Sequence, residues 1–187
     1  MAMARHAFER EASGGQVFHL EVGQPSTGLP RRARDAVEDA LHHPLGYTNA
    51  AGNQRLRRKI AARYDGVDVA RVLVVGGASA GFTLAFLTLF DHGDRVGVVE
   101  PGYPCYRNAL LALGLEPVAI PVGPETRWAP TPGHLDAVGH LDGLILASPS
   151  NPTGTVLEAS ALASIADACR ARRIKLIADE IYHGIVD

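Results

Sequence analysis

The chain has 187 residues, of which 47% are hydrophobic and 20% charged, and its formal net charge is −2 at pH 7. These values are ordinary for one globular domain with a core of useful size, and they do not favour nucleic acid or an anionic membrane surface as a partner. No apolar run approaches membrane-spanning length, and Met1–Gly15 holds no stretch typical of a signal peptide, so the sequence predicts a cytoplasmic protein. Cys105 and Cys169 have the spacing of neither a disulfide framework nor a zinc site, and no metal site is predicted.

Short β-branched runs alternate with longer helical patterns, which favours an α/β fold with a mostly parallel sheet. Residues 1–30 are interpreted as an arm with one extended piece, Val17–Val22. Helices are predicted between Pro30 and Pro44, then over about Asn53–Tyr64, Ala80–Phe90, Tyr103–Leu113, His134–Gly139 and Glu158–Arg172. Strands are predicted over Arg71–Val75, Arg95–Val99, Glu116–Pro121, Gly143–Ala147 and Ile174–Ala178. Continuous apolar strands indicate a sheet that is covered on both faces.

A run of small residues, Gly76-Gly77-Ala78-Ser79-Ala80-Gly81, joins a predicted strand to a predicted helix. Small residues let backbone N–H groups approach an anion, and the helix dipole favours negative charge there. A tight turn in which Ser79 caps the helix explains the same run equally well. The run fits neither G-x-G-x-x-G nor a nucleotide P-loop, so we interpret it as a candidate site for a cofactor phosphate.

Three further candidate sites follow predicted strands at their carboxyl ends, where ligands bind in parallel sheets. Tyr103 could stack on a flat heteroaromatic ring, although packing within its loop is the simpler explanation. Asn151 lies in a loop that two prolines make rigid, and it could hydrogen-bond a phenolic oxygen. Asp179 could pair with a protonated pyridine nitrogen, with Tyr182 close to the same ring. A helix cap with a first-turn acid is the alternative for Asp179.

Two ordered motifs, Ser148-Pro149-Ser150-Asn151-Pro152-Thr153-Gly154 and Asp179-Glu180-Ile181-Tyr182, together resemble the cofactor-holding core of the fold-type-I aminotransferases of class I/II. The resemblance extends back to Gly23-Gln24-Pro25 and to the run from Gly46 to Gly52. It implies a three-layer α/β fold with a mostly parallel sheet of seven strands, in the order 3-2-4-5-6-7-1, of which this chain would hold about five. Residues 1–45 would form the N-terminal arm and first helix, and residues 46–187 part of the large cofactor-binding domain; the small C-terminal domain would be absent.

The family uses pyridoxal 5′-phosphate to move an amino group from an amino acid to a 2-oxo acid. The resemblance implies that six residues of one chain hold this cofactor: the phosphate is bound by Ala78 and Ser79, the ring face by Tyr103, the ring oxygen by Asn151 and Tyr182, and the ring nitrogen by Asp179. Gly23 would lie near the substrate carboxylate. Tyr47 would reach across a homodimer interface to the phosphate bound by the partner.

The lysine that bonds the cofactor in this family lies in a Ser-x-x-Lys segment, and this chain has none. Its two lysines, Lys59 and Lys175, are not predicted to reach the cofactor, so no catalytic residue is assigned and the chain alone is expected to be inactive. A partial sheet would also leave buried-type strand edges open. We therefore expect a piece of a longer enzyme.

Two other functions fit the same motifs. A carbon–sulfur β-lyase of the same fold and cofactor would show the same sites, and its products, pyruvate and ammonia, would distinguish it from an aminotransferase. A non-catalytic binding or interaction protein would explain the missing lysine, and a stop codon directly after codon 187 would favour it.

Overall fold

The computed structural model describes residues 2–19, 23, 27–44 and 46–185, and the chain forms two compact units, Met1–Thr48 and Asn49–Asp187. The first unit holds helices α1 (Ala2–Ala12) and α2 (Arg31–Ala40). Helix α2 confirms the first predicted helix, and Pro30 stands at its N-cap position. Helix α2 buries none of its residues, so its apolar stripe is exposed within the described chain.

Within the segment interpreted as an arm, residues 1–30, the sequence analysis missed helix α1, which occupies Ala2–Ala12. Alanine, arginine and glutamate dominate this segment, and all three are strong helix formers. An ion pair of 3.8 Å between Arg5 and Glu9, four residues apart and so on the same face, further stabilises the helix. In the predicted extended piece, residues 17–19 have no regular structure, and residues 20–22 lie outside the described residues.

The second unit is built on a sheet of four parallel strands in the order β2-β1-β3-β4. The strands are β1 (Arg95–Glu100), β2 (Glu116–Pro121), β3 (Gly143–Ala147) and β4 (Lys175–Asp179). The helices are α3 (Gln54–Ala61), α4 (Ala78–Leu89), α5 (Pro104–Ala112), α6 (Pro132–Val138) and α7 (Ala159–Arg172). No helix within the described ranges is long and apolar enough to cross a membrane.

Helices cover both faces of the sheet, which confirms the predicted three-layer α/β fold. One core cluster packs Phe82, Phe86 and Leu110 of α4 and α5 against Val96, Val98 and Ile145 of the sheet. The other packs Leu135 and Ile165 of α6 and α7 against Leu144 and Leu146 of β3. Alternate residues of β3 thus face opposite clusters, as the two-residue period of a strand requires. This central position explains why residues 143–146 are fully buried.

The predicted strand Arg71–Val75 is wrong, and the sheet therefore has four strands rather than five. Val69–Arg71 forms a short 3-10 helix, and residues 72–75 have no regular secondary structure and join no sheet among the described residues. Two carbonyl groups of this segment, those of Val69 and Val72, accept hydrogen bonds from the Arg57 guanidinium at 2.8 and 2.7 Å. A strand forms only against a partner strand, and none flanks this segment in the described chain.

Candidate active site

Asp179 ends β4 at the carboxyl edge of the sheet, and it is the one buried charged side chain among the described residues. A buried carboxylate requires hydrogen-bond donors. The Tyr106 hydroxyl of α5 donates to Asp179 Oδ2 at 2.5 Å, and the Ile181 backbone N–H donates to Oδ1 at 3.0 Å. Each oxygen of the carboxylate is therefore held by a different part of the chain.

Tyr106 is only 4% exposed, and its ring contacts two other aromatic rings edge to face. The ring centroids of Phe82 and Tyr103 lie 5.1 and 5.5 Å from that of Tyr106. Burial, followed by the hydrogen bond to Asp179 and the charge of that carboxylate, raises the pKa of Tyr106 far above its ordinary value. The hydroxyl therefore stays protonated and acts as a donor.

Tyr103 stands at the N-cap position of α5, directly after a tight loop. Gly102 is required in this loop, because a Cβ there would lie 2.2 Å from the Val99 carbonyl oxygen. The Tyr103 side chain is partly exposed, at 38%, although one edge packs against Tyr106. An aromatic ring that is fixed at one edge and open to solvent is suited to stacking on a flat ligand.

Ser79 lies in the first turn of α4, which begins at Ala78 rather than at the predicted Ala80. The alternative in which Ser79 caps this helix is excluded, because Gly77 occupies the N-cap position at φ +96° and no side chain caps the helix. A Cβ at Gly76 or Gly77 would meet no atom within 4 Å, so the space beside the helix start is open. The Ser79 hydroxyl lies 3.6 Å from Cys105 Sγ. This contact connects the start of α4 to that of α5.

The loop that carries Asn151 is anchored to the end of β4. The Ser148 backbone N–H donates to the Asp179 carbonyl oxygen at 3.1 Å, and the Ser148 hydroxyl accepts from the Leu157 N–H at 3.0 Å. Gly154, at φ +68°, closes the turn by donating its N–H to the Ser150 carbonyl oxygen at 2.8 Å.

Asn151 lines two adjacent pockets at this edge. One is a small pocket that it shares with Tyr106 and Trp128, and the other is an open cleft that it shares with Tyr182 and Ile185. The side chain of Tyr182 is partly exposed. Asn151 and Tyr182 therefore border a common cleft, and their binding of one ring oxygen remains a prediction.

Contacts connect three of the predicted site residues of the second unit, Ser79, Tyr103 and Asp179, and two others, Asn151 and Tyr182, line one cleft. Ser79 meets Cys105, whose neighbour Tyr106 contacts both Tyr103 and Asp179. Gly23 and Tyr47 belong to the first unit, where both are exposed, so their predicted roles remain predictions. Among the described residues, no group of three or more histidine, cysteine, aspartate or glutamate side chains could hold a metal ion.

Sequence reasoning missed Tyr106, Cys105 and Trp128 as members of the site. A signal for Tyr106 was present, because it follows Tyr103 by three residues and side chains at that spacing share a helix face. No comparable signal existed for Trp128, which reaches the pocket from a loop where it and Arg127 adopt φ values of +62° and +51°.

Comparison with known proteins gives a consistent result. The family model for class I and II aminotransferases matches residues 15–187. A valine–pyruvate aminotransferase of Mycobacterium tuberculosis is 49% identical over 187 residues, which cover 96% of this chain and 48% of that protein. An aspartate aminotransferase of Pyrococcus horikoshii is 30% identical over 97% of this chain and 49% of its own. A crystal structure of an aminotransferase from Mycobacterium tuberculosis matches with a TM-score of 0.91 at 48% identity, over 98% of this chain and 49% of that chain.

The chain thus spans about half the length of the relatives that it matches. The part of the chain that matches the family model, residues 15–187, includes all four strands and every candidate site residue of the second unit. On the family model and on these relatives, the chain belongs to the class I and II aminotransferase family.

Proposed function

We propose that this chain is the cofactor-binding part of a pyridoxal-phosphate-dependent aminotransferase, which transfers an amino group from an amino acid to a 2-oxo acid. The observation that carries the proposal is the buried carboxylate of Asp179, held on both oxygens at the edge of the sheet where ligands bind. Burying a charge is costly, and a protein retains such a group where its charge has a use.

The side chains and backbone groups of the candidate site fit the phosphate, the ring face and the ring nitrogen of pyridoxal phosphate. The uncapped start of α4, with Ala78 and Ser79 in its first turn and open space at Gly77, is suited to a phosphate. Tyr103 offers an aromatic face for the ring. Asp179 offers a negative charge for the ring nitrogen.

Asn151 and Tyr182 border the open cleft and offer hydrogen bonds to the ring oxygen. When bound, the cofactor supplies an electron sink through its protonated pyridine ring. In this proposal Asp179 keeps the proton at the ring nitrogen, and Asn151 and Tyr182 orient the ring through its oxygen. Ser79 and the backbone of α4 fix the phosphate, which holds the ring in place.

Lys175 lies at the opposite end of β4 from this edge. Lys175 begins β4, whereas Asp179 ends it, and the four steps between them span roughly 13 Å along a strand. The Lys175 ammonium group donates to the Leu89 carbonyl oxygen and lies 5.3 Å from the centroid of the Phe90 ring. Lys59 is an exposed residue of α3. We therefore assign no proton-transfer residue to this chain.

The remaining roles concern residues of the first unit and an assembly. We propose that the enzyme is a homodimer in which Tyr47 contacts the phosphate of the partner's site, and that Gly23 lies near the substrate carboxylate. Tyr47 is fully exposed in the single chain, which leaves its ring available for such a contact. Sedimentation of the wild-type protein should give a dimer, and Tyr47→Phe should weaken cofactor binding; a monomer would contradict the proposed assembly, and unchanged binding would contradict the role of Tyr47.

An assay of amino transfer tests the proposed function. Protein expressed from the complete reading frame should convert pyruvate to alanine with valine as donor, the pair named for one relative, or with another amino acid from a panel. Asp179→Ala should abolish transfer, whereas Asp167→Ala, an exposed aspartate of α7, should not. Release of pyruvate and ammonia from cysteine or cystathionine without any transfer would instead favour the β-lyase.

A further inference from the structure

We infer that Tyr106 is a positioning residue for the cofactor: its hydroxyl sets the orientation of the Asp179 carboxylate that faces the ring nitrogen. This inference rests on the proposed function and adds a residue that acts through Asp179. The observation behind it is the hydrogen bond of 2.5 Å from the Tyr106 hydroxyl to Asp179 Oδ2.

Two donors from different elements fix the plane of this carboxylate. The Ile181 N–H belongs to the turn directly after β4 and donates only to Oδ1. On its own, this bond would leave the carboxylate plane free to turn and Oδ2 without a fixed position. The Tyr106 hydroxyl comes from α5, 73 positions away in sequence, and holds that second oxygen. A carboxylate has about four acceptor positions, so a position remains for a ring nitrogen that carries a proton.

Tyr106 is itself held firmly enough to orient another group. Its ring is buried, and Phe82 and Tyr103 pack against it edge to face. Tyr103 and Tyr106 are separated by one turn at the start of α5. One helical turn therefore carries both the Tyr103 ring, which would stack on the cofactor, and the Tyr106 hydroxyl, which orients the Asp179 carboxylate. The Tyr103 ring and that carboxylate are thereby kept at a fixed separation.

The charge state of Tyr106 agrees with this role. Because its pKa is raised well above the ordinary value, the side chain remains a neutral donor at neutral pH and places no second negative charge beside Asp179. Tyr106→Phe would remove one oxygen atom and leave the three-ring cluster in place, so it tests the hydrogen bond separately from the packing.

The test compares two ligands that differ only at the ring nitrogen: pyridoxal 5′-phosphate and its 1-deaza analogue, in which C–H replaces nitrogen. Dissociation constants are measured for protein from the complete reading frame as wild type, as Tyr106→Phe and as the matched control Tyr64→Phe. Tyr64 is a partly exposed tyrosine that lies beside His183. Tyr106→Phe should weaken binding of pyridoxal phosphate about tenfold, the typical value of one hydrogen bond to a charged group, and change binding of the analogue less than about twofold.

Four results would overturn the inference. Equal weakening for both ligands would show that the Tyr106 hydroxyl does not act through the ring nitrogen, and unchanged or tighter binding of pyridoxal phosphate would show that its hydroxyl does not orient Asp179. If the wild-type protein binds neither ligand, the proposed function fails and this inference fails with it. In the background of Asp179→Asn, Tyr106→Phe should have no further effect on pyridoxal phosphate; an undiminished effect there would also contradict the role.

Discussion

The contact between Tyr106 and Asp179 makes a quantitative prediction about stability without any cofactor. Asp179→Ala leaves the Tyr106 hydroxyl buried without its acceptor, and it removes the acceptor of the Ile181 N–H. An unpaired buried donor costs about 1–3 kcal/mol, and a lost hydrogen bond at the partly buried turn adds about 0.5–1.5 kcal/mol. We therefore expect Asp179→Ala to lower the free energy of unfolding by roughly 2–4 kcal/mol.

A second substitution isolates the interaction energy between Tyr106 and Asp179. The double variant Asp179→Ala/Tyr106→Phe leaves no buried hydroxyl unpaired. Its loss in free energy of unfolding should therefore be smaller than the summed losses of the two single variants, by about 1–3 kcal/mol. Urea unfolding followed by circular dichroism measures all four proteins. Additive effects, within about 0.5 kcal/mol, would refute the reasoning.

Three further predictions address other parts of the second unit. Gly102→Ala should weaken pyridoxal phosphate binding about tenfold or more in a fluorescence titration, because its Cβ would lie 2.2 Å from a backbone carbonyl oxygen and the loop must move; unchanged affinity would contradict this. The backbone N–H of Arg95 holds the pKa of Asp142 below its ordinary value, so this carboxylate stabilises the fold at neutral pH and the stabilisation is lost as the pH falls through and below about 4. Asp142→Asn should therefore lower the melting temperature at about pH 7 and have little effect at about pH 3; an equal effect at both would contradict this. Cys105 should react with a thiol reagent well before Cys169, because Cys169 is 2% exposed and its burial raises the pKa of its thiol. Bound pyridoxal phosphate should slow the reaction of Cys105. Equal reaction rates of the two thiols, measured by peptide mass mapping, would contradict this.

Matched substitutions separate these effects from general damage to the fold. Gly133→Ala places a Cβ at an ordinary 3.7 Å from Thr131 Oγ1, so it should leave cofactor affinity unchanged. Asp167→Asn changes an aspartate whose side chain is 70% exposed, so it should have little effect on the melting temperature at either pH.

Four strands of the sheet could be predicted from sequence because each is a short apolar run bounded by turn residues. Arg71–Val75 carries the same local signal but forms no strand, since strand formation also depends on a neighbour that the local pattern does not encode. Helix α1 is an element that the sequence analysis missed. Its alanine-rich sequence favours a helix, but the glycines and prolines that follow it led to the interpretation of the whole segment as an arm. Local patterns thus predicted the fold class and the order of elements, but not every pairing.

The candidate site shows the same division. The positions of Asp179 and Asn151 at the carboxyl edge of the sheet could be predicted because each lies at or after the end of an apolar strand. The alternative role of Ser79 as a cap is excluded because α4 begins two positions before the predicted start, which moves the N-cap to Gly77. The bond between Tyr106 and Asp179 joins residues 73 positions apart, and no local pattern reports a contact of that range.

The central claim is that the edge formed by the starts of α4 and α5 and the end of β4 holds pyridoxal phosphate. A crystal structure of the protein from the complete reading frame, grown with this cofactor, tests the claim most directly. We predict that the ring nitrogen lies within hydrogen-bonding distance of the Asp179 carboxylate, with the Tyr103 ring against the cofactor ring and the phosphate at Ser79. A cofactor bound elsewhere, or one whose ring nitrogen faces a residue other than Asp179, would contradict the claim.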